Sequence, residues 1–599
     1  MGSNSEIKSG GIVTFSIKVD GSAIPDEERV HSIDINNSIN NIAKATITIL
    51  DGAPSTGDFE ASSSSTFVPG GKVIIEVGYD GQNTSIFEGI ITEQNIHIGQ
   101  NIGSALEVVC YDEAIRMTVG QKSITFANKK NSDIISSIIG NYSGLTANVT
   151  STENELPSLV QYNVSDWDFI RTRAEANGLI ISTINNKVNV FAPDADTTSV
   201  STITFGDDIY ELKAKLNAVN QLSTVKANSW DYKNQEVISE TAANQHAGPG
   251  NLSSKTLSDV VGLTDFELQT TAPLTDSELT NWSKAQMTKS CFSKIQGTVS
   301  TPGDSIIFPG KYITLKGVGD RFNGDHFVSG IHHEISNGNW MLTCELGLSP
   351  NWISEQPEII APPASGLLPG VQGLFNGTVK KMYEDPDSQY RVLVDVPIFD
   401  SNGEGIWARL INFYATSGFG AFFMPEVGDE VVVGFLNEDP RFPIILGSMY
   451  SNSKNKPYED YSPNEKNSTK AIVSKSGIAL KFDDENKVFS ITTASNNKAV
   501  FSDKDKQVLI TDQNGNRIVM SDEGITIFSE KEVSIESSQS LNLKGDQGVN
   551  IESSGGDVNI QGLNIKNTAD ESFKAQGSAT AEISGGAETT IKGAMVMIN

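Results

Sequence analysis

Three stretches of this sequence hold side chains of the kinds that do chemistry. Asp512, Asn514 and Asn516 alternate within one loop and Glu523 stands eleven residues after Asp512, the spacing of an EF-hand calcium loop. The position that such a loop reserves for glycine holds Arg517, and Val508 to Ile510 and Ile518 to Met520 read as strands flanking the hairpin signal Asn514-Gly515. A hairpin is therefore the expected structure. His332, His333 and Glu334 invite a zinc reading, but neighbours in a strand point to opposite faces, so only His332 and Glu334 share one, and no third ligand is evident. Asp483, Asp484 and Glu485 lie in a polar turn, where nothing separates their pKa values for acid and base roles. The sequence has no nucleophile elbow, P-loop, H-E-x-x-H or dinucleotide fingerprint in its proper setting. The expectation is no enzyme, no metal and no cofactor.

The elements that position everything else are repeats. From Val533, apolar residues recur as pairs two apart, Val533/Ile535, Leu541/Leu543 and Val549/Ile551, each pair beginning eight residues after the last. The register slips by one at Val558/Ile560 and resumes at Ile565, Phe573, Ala581 with Ile583, and Thr589 with Ile591; upstream it reaches Ile525/Ile527. A spacing of two puts both side chains on one face of a short strand, and the polar residues between pairs make a turn. A single-chain β-helix spends roughly twenty residues on a rung, so eight cannot encircle a core. Three chains contributing one octad each can. One apolar pair per octad is worth about 3–6 kcal/mol when buried, against on the order of 8–16 kcal/mol of backbone entropy for eight residues. The segment is thus expected to fold only as a trimer, with Val533, Ile535, Leu541, Leu543, Val549, Ile551, Val558, Ile560, Ile583 and Ile591 in its core. A disordered polar tail is the competing reading, which the strict recurrence of Val, Ile and Leu opposes.

A chain of 599 residues holds several domains. Its net charge of −30, tripled in a trimer, argues against nucleic acid and anionic membrane surfaces as partners. Cys110, Cys291 and Cys344 are too few and too scattered for a disulfide framework, which suits folding in the cytoplasm. Residues 1–6 show no signal peptide, and no apolar run approaches eighteen residues.

Residues 10–125 alternate in β fashion, at Val13 to Val19, Ala45 to Ile49, Val73 to Val77 and Ile90 to Ile98. Three short helices are expected: Asp133–Ile139 capped by Ser132, a second capped by Ser165 and ending at Asn177-Gly178, and a third from Thr275 with Glu278 in the capping-box position. Further strands lead to a linker around residues 357–366. Residues 371–450 then read as five short strands with glycines at the bends, a small Greek-key barrel of the OB type.

Here the residues carry a resemblance. Trp407-Ala408-Arg409, the run Phe422 to Val431, Gly434-Phe435, Asp439-Pro440-Arg441, Pro443 and Leu446-Gly447-Ser448 resemble the OB domain of VgrG-type spikes, the central spikes of type VI secretion systems, contractile phage tails and extracellular injection particles. Gln161 to Gly178, Gly317 to His333 and the octads are more weakly similar to other parts of that family. The resemblance implies a mainly β, multidomain trimer: a hub with a few helices (1–365), an OB domain (366–455), connecting β-hairpins (456–524) and a triple-stranded β-helix needle (525–599). It implies a structural spike that templates an inner tube, meets baseplate proteins, carries possible effector cargo and leaves the cell by ejection. A hydrolase insert or appended effector is not expected, since some twenty residues separate barrel from shaft and the sequence stops at Asn599. Met595, Val596, Met597 and Ile598 replace the polar turn with an apolar run, the expected dock for a PAAR-type tip protein. A β-helical polysaccharide-degrading or glycan-binding tail spike is the alternative.

Overall fold

The computed structural model describes residues 11–25, 29–99, 103–400, 403–451, 455–458, 461 and 463–598, so residues 1–6, on which the signal-peptide reading rests, and Asn599 lie outside it. The chain is mainly β and multidomain, and divides into two compact units, 1–449 and 450–599.

Twelve strands of the first unit form two sets of six. The first comprises β1 (Val13–Val19), β2 (Val30–Ser38), β3 (Lys44–Leu50), β4 (Lys72–Tyr79), β5 (Gln82–Gly99) and β6 (Gly103–Tyr111). The second comprises β7 (Ser199–Thr204), β8 (Glu211–Leu216), β9 (Ile295–Pro302), β10 (Tyr312–Lys316), β11 (Gly324–Ser336) and β12 (Asn339–Leu346). In both sets the spatial order is first, fourth, fifth, sixth, third, second. Neighbours are antiparallel throughout, except that β7 runs parallel to β10 where β1 is antiparallel to β4.

The likeness extends to detail. Each fifth strand is long and shifts register against the sixth at one place, between Ile91 and Glu93 in β5 and between Val328 and Gly330 in β11. Each fourth strand follows a Pro-Gly turn whose glycine needs positive φ, +101° at Gly70 and +93° at Gly310. The Gly70 N–H donates to Ile91 O at 2.8 Å and the Ile91 N–H to Gly71 O at 2.9 Å; Gly310 and Lys311 repeat this with Val328 at 2.8 and 2.9 Å. These two sets of strands are therefore an internal duplication, in the region expected to form the hub. Its halves are sewn into one sheet where β11, from Gly330 to Ser336, pairs antiparallel with β2. Apolar alternation fills one core with Ile33, Ile35, Ile47, Ile75 and Leu106 and the other with Val299, Ile313, Val328 and Leu342.

Apart from the single turn Glu60–Ser63, the α-helices lie in two inserts, one between the sets and one between β8 and β9. Helix Asp166–Ala176 is capped by Ser165, whose Oγ accepts from the Asp168 N–H at 3.1 Å, and helix Asp276–Phe292 opens with the Thr275/Glu278 capping box. The first helix corrects the sequence reading: it spans Asn131–Gly140, its cap position is Lys130 with no side-chain bond, and Ser132 lies inside the first turn. There the Ser132 N–H donates to Thr152 Oγ1, so tertiary contact replaces the local cap. Its apolar stripe, Ile134, Ile135, Ile138 and Ile139, is buried as the spacing predicts. A fourth helix, Ser254–Val261, escaped that reading although Ser253 caps it and Gly262 ends it in the left-handed region.

Strands Phe375–Lys381, Val392–Asp395, Ile406–Leu410, Pro443–Ser448 and Glu430–Phe435 close into a barrel in that spatial order. Its core holds Val379, Val392, Val394, Ala408, Val431, Val433 and Ile445. The loop into its second strand is tied by Asp385, whose carboxylate accepts from the Arg391 guanidinium and from the Gln389 and Arg391 N–H groups. The Arg391 guanidinium holds that carboxyl well below the usual range.

In the second unit, residues 469–528 form a seven-stranded antiparallel meander. From residue 529 the expected short strands are not formed within the chain: no strand or backbone–backbone hydrogen bond occurs among the described residues to 598. The segment is extended with bends near residues 538, 546, 555, 563, 570, 578, 586 and 594, which keep the octad period.

Candidate assembly interface

The residues that suggested chemistry are occupied structurally. Asp512 Oδ1 accepts from the N–H groups of Asn514 and Asn516, both at 2.9 Å, and Oδ2 from their side-chain amides, which makes a hairpin turn between paired strands rather than an open ligand set. His332 and His333 face opposite ways, as strand geometry requires. His332 Nε2 lies 3.4 Å from Asp34 Oδ1, which raises its pKa, while the buried His333 Nδ1 accepts from Trp340 Nε1 at 3.1 Å. Among the described residues no three His, Cys, Asp or Glu side chains are grouped to hold a metal ion.

A cavity of about 350 Å³ gathers His246, Cys291, Lys294, Tyr312 and His326. Burial pushes the Cys291 thiol up to about 11, so it is no thiolate nucleophile at neutral pH. Lys294 Nζ donates to the carbonyls of Ala247, Pro249 and Leu252 at 2.6, 2.6 and 2.9 Å, which commits the ammonium to holding that loop. Burial lowers the pKa of both histidines. Burial also brings Lys294 down to about 8, and its three carbonyl acceptors fix its position.

Exposed apolar surface is the distinctive feature. In the meander, directly opposed residues share a face. One row on that face runs Lys470, Phe482, Phe489, Phe501, Val508, Met520 and Ile525, and the next runs Ile472, Leu480, Ile491, Ala499, Ile510, Ile518 and Ile527. Apart from Lys470 the whole face is apolar, with Phe489 tilted against Phe482 at a centroid distance of 5.0 Å and stacked on Phe501 at 5.9 Å. Ile525 and Ile527 end both rows and also open the octad series, so the stripe runs on without a break. Val533, Leu541, Val549, Val558 and Ile565 are each 51–55 % exposed and Ile535, Leu543, Ile551 and Ile560 each 63–70 %, which marks one conformation repeated rung after rung. Ile583, Ile591, Met595, Val596, Met597 and Ile598 are exposed as well. The hydrogen bonds of described residues from Lys531 onward join positions no more than three apart.

Residues 9–337, more than half of the chain, match the family described as the Alg8 N-terminal domain, and residues 375–450 match the type VI secretion system/phage-baseplate injector OB domain. The chain belongs to the Alg8 N-terminal domain family, and its barrel carries the injector OB domain found in VgrG-type spike proteins. The chain is 35 % identical to the type VI secretion system spike protein VgrG1c of Pseudomonas aeruginosa over 78 residues, 13 % of this chain and 11 % of that protein. It is 34 % identical to the spike protein VgrG3 of Vibrio cholerae over 97 residues, 15 % of this chain and 10 % of that one. The match thus spans about a tenth of the curated relatives' length. Among solved structures, an E. coli component of the type VI secretion system, described as similar to the T4 bacteriophage tail proteins gp27 and gp5, aligns over 72 % of this chain and 99 % of its own at 14 % identity and a TM-score of 0.37.

Proposed function

We propose that this protein acts as a homotrimeric spike at the centre of a contractile injection machine, as a mechanical part without catalytic activity. One observation carries the reading. An extended segment of regular octads, with its apolar pairs exposed and its backbone N–H and C=O groups unpaired within the chain, calls for partner strands of the same repeat. Two further copies supply them, and Val533, Ile535, Leu541, Leu543, Val549, Ile551, Val558, Ile560, Ile583 and Ile591 become the core of a three-chain needle. The meander's apolar face turns toward the same axis, so the trimer contact begins at about residue 470. Ladders between chains close every strand edge, which keeps the shaft from fraying or aggregating.

The duplicated hub supports the tube-templating role. Three chains with two like halves each present six similar faces, a fit to a hexameric inner tube. Baseplate proteins and effector cargo are further partners of the ejected assembly. At the far end, Met595, Val596, Met597 and Ile598 form the dock for a PAAR-type tip protein. Light scattering of the full-length protein tests the trimer: three times the chain mass is expected, and a monomer overturns the reading. Deleting residues 594–599 tests the tip site. A trimer that loses its tip protein is expected; one that still binds it sinks the docking assignment.

A further inference from the structure

The duplication tells how the hub closes on itself. β11 is bonded on both sides in its second half: Gly330 to Ser336 pair with β12 and also with β2. Its counterpart in the first set, Glu93 to Gly99 of β5, pairs with β6 and with no other strand among the described residues. Likewise β8, the counterpart of β2, pairs with β9 alone. Each chain therefore carries one completed seam and the two halves of a second one, both open. We propose that the open edge of β5 takes β8 of a neighbouring copy in the way that β11 takes β2 within the chain. This inference rests on the homotrimer reading and assigns it a residue-level contact.

The register follows from the pairs already made. The shifts at Ile91/Glu93 and Val328/Gly330 set Glu93 equivalent to Gly330, hence Ile96 to His333 and Ile98 to Ile335. In the same way, the pairs Ala45 with Ile35 and Gly297 with Ala214 make Ala214 equivalent to Ile35 and Leu212 to Ile33. Within the chain, His333 lies opposite Ile35 and Ile335 opposite Ile33, all buried. Between chains, Ile96 then lies opposite Ala214 and Ile98 opposite Leu212.

The side chains fit that placement. Ile96 is 54 % exposed and Ile98 70 %, an apolar alternation on an open edge that otherwise invites indiscriminate pairing. In β8 the exposure alternates, with Leu212, Ala214 and Leu216 half-buried and Glu211, Lys213 and Lys215 exposed. On the outer face Lys215 falls opposite Asn95, diagonal to Glu93 and one strand from Glu107, so a basic edge meets an acidic one. A strongly acidic chain can associate with itself most readily where such lysines are placed. Repeated around three copies, seams within and between chains alternate, six in all, and no hub strand edge of this kind is left open.

The test uses the full-length chain carrying Ile96→Cys and Ala214→Cys, oxidised with copper phenanthroline, with peptide mapping and light scattering on the same sample. Disulfides between chains, ending in a covalent trimer, are expected. A control pair, Ile96→Cys with Lys213→Cys, sets the second thiol on the opposite face and is expected to stay reduced. A trimer by scattering without the disulfide overturns the seam but leaves the homotrimer standing. A disulfide inside one chain also overturns it, and a monomer overturns both. Hydrogen exchange on the unsubstituted protein gives a second readout: those amides of residues 94–98 that point away from β6 are expected to be protected in the trimer, and fast exchange of them refutes the pairing.

Discussion

Replacing Leu543 by alanine should weaken the proposed trimer in a predictable way. In the single chain Leu543 is 66 % exposed, so about two-thirds of its burial is left for assembly. Fully burying a leucine is worth roughly 1.5–3 kcal/mol, which makes the remaining part about 1–2 kcal/mol per chain and about 3–6 kcal/mol for three copies meeting in one rung. The cavity left by truncation adds to this, up to roughly 15 kcal/mol per trimer if the rung cannot collapse. Even about 3–6 kcal/mol raises the dissociation constant of the trimer roughly 10²–10⁴-fold. Light scattering over a dilution series should therefore show Leu543→Ala dissociating at far higher concentration than the parent. Asp546→Asn, at an exposed bend, is the control and should leave the midpoint where it was. If Leu543→Ala and the control behave alike, the octad side chains do not face a shared core and the argument from period to trimer is wrong.

Two predictions concern the hub. Burial pulls the His333 imidazole from 6.5 down to about 3, so as pH falls the unfolded chain takes up this proton first; the stability is present above pH 6.5 and lost as pH drops toward 3. At about 1.4 kcal/mol per pH unit, the hub should lose about 2 kcal/mol between pH 6.5 and pH 5 from this group. His333→Leu should melt lower at pH 7.5, because Trp340 Nε1 loses its acceptor, yet change less on acidification; equal shifts in both proteins would show that another group governs. Lys294→Met strips the carbonyls of Ala247, Pro249 and Leu252 of their donor and should cost the hub about 2–4 kcal/mol, read as a lower melting temperature. An unchanged melting curve would mean that water replaces the ammonium.

Several local signals in the sequence placed local structure correctly. Ser165 and the Thr275/Glu278 box start helices where the capping pattern places them, and Asn514-Gly515 makes its hairpin. The octad spacing appears as evenly spaced bends, and the ordered run of residues from Trp407 to Ser448 marks the barrel, because its closure needs glycines and apolar alternation at fixed intervals within eighty residues. Ser132 failed as a cap because a partner twenty residues away, Thr152, took the role of the missing local bond.

The hub duplication was another matter. Its one short signal, a Pro-Gly turn at Pro69-Gly70 and again at Pro309-Gly310, is common enough in loops to go unremarked. What defines the repeat is that the fourth strand pairs with the first and the sixth with the third, and that an insert of strands and helices parts β8 from β9. Periodicity records which face of a strand is buried; it does not record which strand lies beside it. That choice is made by backbone pairing between residues as far apart as Ser32 and Ser336, so the duplicated halves, the seam that joins them and the edges left open were decided by the tertiary structure alone.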